Sequence, residues 1–137
     1  MQMKAILSIK PEYVERILSG EKTYEFRRRI FKCPEVNTLV IYATMPVGKV
    51  VAEAGITGVL ESSPEDIWEK TSRHAGISED RFKAYFHGRN VAYAIEIGDV
   101  HAFRRPLTLA EYSPDISRAP QSFVYIHEDV RRPATSD

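Results

Sequence analysis

Gly20-Glu21-Lys22-Thr23-Tyr24-Glu25-Phe26-Arg27-Arg28-Arg29 is the stretch on which the reading of this chain turns. It follows a short amphipathic run and has the composition of a strand. Side chains in a strand alternate between its two faces. Tyr24 and Phe26 therefore share one face, with Arg28 after them. Thr23, Glu25, Arg27 and Arg29 share the other. One face can join a core, and the other carries a row of hydroxyl, carboxylate and guanidinium groups. Lys22 stands at the entrance of the strand, beside the Gly20 turn. Aromatic anchors under a polar row make a rigid binding surface.

Upstream, Lys4 to Ile9 is short and apolar and reads as an inner strand. Pro11 opens a helix, because the first helical position needs no N–H. Glu12 and Glu15 suit its positive end, Tyr13 or Val14 with Ile17 and Leu18 form an apolar face, and Gly20 caps it. Downstream, residues 32 to 37 form a loop. Thr38 to Ala43 is a buried strand rich in β-branched and aromatic residues. After a turn at Thr44 to Gly48, a long strand runs from Lys49 to Leu60, bent at Gly55 and Gly58. Ser62-Ser63-Pro64-Glu65-Asp66 starts a helix that runs to Gly76. Ser78-Glu79-Asp80 starts another that ends at Gly88, with Phe82, Tyr85 and Phe86 on its inner side. Val91 to Ile97 and Val100 to Arg104 read as two strands of a hairpin turning at Gly98-Asp99. Thr108 caps a single helical turn, and Ser122 to His127 is a last strand. The expected fold is α+β: a compact β-barrel with an N-terminal helix and a mid-chain helical insert, since bent, glycine-interrupted strands favour a small barrel. One domain is expected over residues 1–130, with a frayed polar tail at 131–137.

The totals narrow the function classes. With 137 residues the chain can bury a core without disulfide or metal support. Cys33 is the only cysteine, which excludes an internal disulfide and a thiolate cluster. His74, His87, His101 and His127 show no ligand spacing, so neither metal nor cofactor is expected. No apolar run approaches the ~20 residues that span a bilayer, and the first ten residues lack a secretory layout. These features together suggest a cytoplasmic protein away from membranes. Formal net charge is zero, which excludes coating of nucleic acid by charge alone. The charge is uneven, however. Residues 22 to 32 hold five bases against one acid, whereas residues 61 to 80 hold six acids against two bases. The basic patch suits local recognition of an anion such as phosphate, and the bland alternative is that the two regions pair with each other.

Gly20-Glu21-Lys22-Thr23-Tyr24-Glu25-Phe26-Arg27 resembles the G-x-K-x-x-E-x-R signature of ASCH domains, a branch of the PUA-like barrel superfamily. Leu7 to Pro11, Ile41 to Val47 and Arg118 to Phe123 are similar to family stretches in the same order, so the likeness covers about Lys4 to Tyr125. The resemblance implies a PUA-like barrel with a cleft lined by the signature residues. It implies binding of RNA or a modified nucleotide. Some members are hydrolases, acting as amidases on acetylated cytidine or reported as nucleases. The chain departs from the acetylcytidine branch twice. Glu25 stands where that branch has threonine, and the mid-chain glutamate has no confident counterpart near His74 to Ile77, Glu79 being close.

Lys22, Glu25 and Arg27 head the ligand-binding set. The ammonium can hold a phosphate or carbonyl oxygen, Glu25 can accept from a base edge, and Arg27 can hold phosphate or stack on a base. The structural alternatives are a solvated lysine and a same-face ion pair. Thr23 joins the ligand-binding set; it could be a nucleophile only with a base at hand, and strand alternation points the adjacent Lys22 to the opposite face. Tyr42, Thr44, Gln121 and Ser122 are further candidates to border the cleft, each at least as well suited to an ordinary structural hydrogen bond. Arg28, Arg29 and Lys32 would extend a nucleic-acid surface. The leading expectation is a binding module. The alternative is a small hydrolase in which Lys22 and Glu25 are catalytic, with Lys22 requiring lowered basicity to act as a base. A protein adaptor built on the acidic insert from Glu61 to Asp80 is the third class.

Overall fold

The computed structural model describes residues 3–116, 118–120 and 123–127. The elements follow the chain as β1 (Met3–Ile9), α1 (Pro11–Ser19), β2 (Tyr24–Arg27), β3 (Val36–Ala43), β4 (Lys49–Ser62), α2 (Pro64–Thr71), α3 (Glu79–Tyr85), β5 (Ala92–Leu107), α4 (Leu109–Tyr112) and β6 (Phe123–His127). A 3-10 turn at Ser72–His74 follows α2. The strands form one mixed sheet in the order β2-β5-β4-β3-β1-β6. β1 and β3 run parallel and the other pairs antiparallel.

The helices begin and end where local chemistry directs. Pro11 opens α1, and Gly20 ends it at φ 88° with its N–H on the Ile17 carbonyl. Ser63 and Ser78 cap α2 and α3 by accepting the N–H of Asp66 and of Arg81. Thr108 and Glu111 form a reciprocal capping box around α4. The α2 helix is shorter than the run to Gly76 that its capping pattern suggests. The chain tightens at 72–74 and then passes close to β2.

Alternation along β1 and β3 sorts the core into two layers. Ala5, Leu7, Leu39, Ile41 and Ala43 face one way, where Val14 and Ile17 of α1 cover them. Ile6, Val40 and Tyr42 face the other way, joined by Phe103 and Tyr112. A third cluster of Phe26, Ile67, Phe82 and Phe86 seats the helical insert on β2 and β5.

Two expectations need correction. The hairpin at Gly98-Asp99 does not form: β5 runs through as one strand of 16 residues paired with β4. Ala54 faces Val100 and Ile56 faces Ile97, so two residues of β5 oppose Gly55 alone. The glycine marks a bulge, which bends a strand without turning the chain. The barrel is likewise not confirmed, because the sheet is not closed: among the described residues no ladder joins edge strand β2 to β1 or β6. Single side chains bridge the gap instead. Arg27 Nη2 donates to the Ser8 carbonyl of β1 at 2.9 Å, and the Tyr125 hydroxyl of β6 accepts the Lys32 N–H at 3.0 Å. The free edge of β2 is where the candidate site lies.

Candidate functional site

A cavity of about 660 Å³ opens beside β2, between α1 and α3. Lys22, Glu25 and Arg27 line it, with Phe26 as an apolar floor and Tyr13 and Tyr85 on facing helices. Its volume falls within the ~300–1,000 Å³ of small-molecule sites. Strict alternation would separate Lys22 from Glu25 and Arg27. The cavity unites them because it wraps a strand edge, where both faces are reachable, and because Lys22 precedes the regular strand.

Lys22 is held closely. Its ammonium donates to the Ala75 carbonyl at 2.7 Å and lies 4.7 Å from the Phe26 ring centre and 5.5 Å from that of Tyr13. Only 3% of the residue is exposed. Burial is the main cause that lowers its basicity below the lysine norm. Glu25 opposes the shift, and Arg16 and Arg27 reinforce it. The loop between α2 and α3 is pinned at three consecutive carbonyls. His74 O accepts the Thr23 N–H at 3.0 Å, Ala75 O accepts Lys22, and Gly76 O accepts Arg16 Nη1 at 2.9 Å. The insert and the Lys22 strand thus form one mechanical unit.

Glu25 and Arg27 form an ion pair with Oε2 and Nε 3.2 Å apart. That N–H is poorly aimed at the oxygen, and Nε has no hydrogen-bond partner among the described residues. The contact is a charge pair without a hydrogen bond. Arg27 is braced through Nη2 on Ser8, and Glu25 keeps its other oxygen free of any described partner.

The other expected residues divide. The Thr23 backbone joins the pinned corner, but Thr23 does not line the cavity. Tyr42 is buried on the opposite face of the sheet. Thr44 caps the end of β1 by donating its N–H to the Ile9 carbonyl at 3.0 Å, again away from the cavity lining. Gln121 and Ser122 lie outside the described residues, as does the tail at 131–137. Arg28, Arg29 and Lys32 are exposed. Arg28 Nε donates to the Tyr85 carbonyl at 2.8 Å and its guanidinium stacks 4.3 Å from that ring, so it is fixed against a lining residue without lining the cavity itself. Glu79 pairs with Lys83 and does not line the cavity.

Sequence reasoning missed Tyr13, Tyr85 and Arg81 as members of this site. Tyr13 and Tyr85 occupy helical positions that also suit a core. Phe82 and Phe86 do fill that core, whereas Tyr85 is only half-buried. Nothing local marks Arg81, which reaches the cavity only because α3 folds back beside α1. Among the described residues no three His, Cys, Asp or Glu side chains converge as a metal site requires. No described helix is long and apolar enough to cross a membrane.

A six-stranded mixed sheet, open at β2 and carrying a signature lysine, glutamate and arginine in an edge cleft, defines an ASCH-type domain. The chain belongs to the ASCH domain family, whose model matches residues 7–101. It is similar to the ASCH domain-containing ribonuclease of Zymomonas mobilis, 33% identical over 134 positions that cover 92% of this chain and 86% of that protein. It is also similar to large ribosomal subunit protein uL22 of Ureaplasma parvum, 30% identical over 92 residues. That match spans 67% of this chain but only 29% of the ribosomal protein. The crystal structure of ASCH from Zymomonas mobilis superposes with a TM-score of 0.83 at 32% identity, covering 91% of this chain and 88% of the other. A tyrosine-to-phenylalanine variant of that protein gives the same TM-score at 31% identity, covering 91% of both chains.

Proposed function

We propose that this protein binds RNA by drawing one unpaired nucleotide into the cleft beside β2, in the cytoplasm. One observation carries the reading. A buried ammonium and a carboxylate with one uncommitted oxygen line an open cavity whose walls are Tyr13, Phe26 and Tyr85. Single-stranded RNA is recognised in such terms: flat apolar surfaces take the base, and paired donor and acceptor groups read its edge. Here Lys22 offers donors, Glu25 offers the acceptor, and the exposed Arg28, Arg29 and Lys32 accompany the backbone. The name of the Zymomonas relative supports RNA as the polymer.

Binding of short single-stranded oligoribonucleotides, followed by fluorescence anisotropy, tests the reading. Affinity should fall with added salt, at a slope of about −0.7 in log units per phosphate contacted. Arg27→Ala should weaken binding about tenfold, the worth of one charge-assisted hydrogen bond plus the exposure of Glu25 to an unpaired state. Unchanged affinity in that variant would remove the site from consideration.

Cleavage of the bound strand is the second reading, favoured by the lowered basicity of Lys22 and by the relative's name. A lysine whose proton affinity is lowered gives up its proton more readily, as a general base or acid requires. Incubation of labelled RNA with the parent and with Lys22→Arg separates the two. Arginine keeps the charge but cannot give up its proton. Cleavage lost while binding persists would establish the enzyme, and intact RNA with both proteins would retire it.

A further inference from the structure

At the outer end of the cleft, α1 and α3 are joined by one exposed contact. Arg81 Nη1 donates to Glu12 Oε2 at 2.8 Å and to the Tyr13 hydroxyl at 3.0 Å. All three residues line the cavity, as does Lys10. The side chains of Arg81 and Glu12 are 58% and 47% exposed. A contact so wet is held weakly and exchanges at little cost. Only one nitrogen of the Arg81 fork is engaged among the described residues, so the other two remain free for a second anion.

We infer that Arg81 and Tyr13 form a phosphate-gripping site, and that the Glu12 carboxylate occupies it until a ligand arrives. Resting on the RNA reading above, this gives the cleft a direction. The base lies at Lys22 and Glu25, and the phosphate lies at Arg81. The preferred ligand is then a phosphorylated nucleotide unit rather than a free nucleoside. The chemistry favours exchange. A phosphate presents several acceptor oxygens to the planar guanidinium fork, and Arg binds such groups in bidentate fashion. The Tyr13 hydroxyl adds a donor on the same side once Glu12 swings out. The lining holds four basic side chains, Lys10, Lys22, Arg27 and Arg81, against the two carboxylates of Glu12 and Glu25, a balance that favours an anion.

The test is isothermal titration calorimetry of the full chain with the four ribonucleosides and their 3′- and 5′-monophosphates. The parent should bind at least one monophosphate about tenfold more tightly than its nucleoside, as expected for one charged contact. Arg81→Ala should erase that difference, bringing the monophosphate down to the affinity of its nucleoside. Glu12→Gln should widen it, because the competing carboxylate is gone while Arg81 stays. The opposite signs exclude a merely structural role for the pair, since a latch that only braced the fold would weaken binding when cut from either side. Equal affinity for nucleoside and monophosphate in the parent would overturn the inference, as would indifference of the monophosphate to both substitutions. If RNA binding is lost in Lys22→Met yet unaffected by the Arg81 and Glu12 variants, the cleft reading stands and this site falls. Failure of RNA and of every nucleoside and monophosphate to bind would sink both.

Discussion

Gly76→Ala should lower the melting temperature by about 10 °C and weaken RNA binding, whereas Gly88→Ala should cost only about 3 °C. Both glycines adopt left-handed backbone, at φ 64° and 77°. Alanine in that region costs roughly 1 kcal/mol at either position. Only Gly76 also faces a steric barrier. A methyl group there would collide with Cβ, Cγ and Cδ of Lys22, the last at 2.9 Å, while the corresponding group at Gly88 meets nothing within 4 Å. The crowded atoms belong to the near end of the Lys22 stem, which burial prevents from swinging aside. Forcing extra volume into a packed site costs roughly 1–3 kcal/mol more. The total is about 3 kcal/mol, and each kcal/mol moves the midpoint of a domain this size by about 3–4 °C. Relief of the clash must displace either the 74–76 loop or Lys22, so the ammonium leaves Ala75 O and the cleft loses its shape. Thermal unfolding of the two variants, monitored by circular dichroism, provides the check. Equal losses would mean that the loop does not press on Lys22.

The same loop shows where the sequence could be read and where it could not. Pro11, Gly20, Ser63, Ser78 and Thr108 act on their own neighbours, and the helix ends that they imply are found. The alternating faces of β2 were also readable, because pleating is local: Phe26 enters the core beneath the insert while Glu25 and Arg27 line the cleft. Gly98-Asp99 misled because a bulge and a turn use the same residues. The choice between them depends on the length of the partner strand, and β4 continues past that point to pair with both halves of β5. Sheet closure was equally out of reach. The bends at Gly55 and Gly58 curve the strands, yet whether β2 meets β1 in a ladder or across a cleft is set by what fills the gap, here the Arg27 side chain. Tyr42 stands near the end of β3, but its place on the sheet follows from the parity of that strand, which points it away from the cleft. Arg81 gave no signal at all, because its role depends on how α3 docks.

Lys22→Met should reduce RNA affinity by roughly ten- to hundredfold, the range expected for losing a charged hydrogen bond of about 1.5–3 kcal/mol. Its stability should hardly change at neutral pH. Two terms oppose each other. Removing a desolvated ammonium relieves a penalty, and buried charges replaced by apolar residues of similar volume often leave a protein as stable or more so. Against this, the Ala75 carbonyl loses its donor, at about 1–3 kcal/mol. The pH dependence tells the roles apart. The folded lysine has its proton affinity lowered from 10.5, chiefly by burial. Between the folded and unfolded values, the unfolded chain carries the extra proton, so stability must rise with pH across that window. RNA affinity must move the other way, because a neutral amine attracts phosphate and carbonyl oxygen less. The parent should therefore grow more stable and bind less tightly as alkalinity increases through the window, and both slopes should flatten in Lys22→Met. Chemical denaturation and anisotropy across an alkaline pH series measure them side by side. A variant that kept the parent's affinity would make Lys22 only a buried strut, with its bond to Ala75 O as its sole purpose. A cation retained in a nearly dry site at a cost to its own charge is better explained by what it meets there, and the fall in affinity with pH is the measurement that would show it.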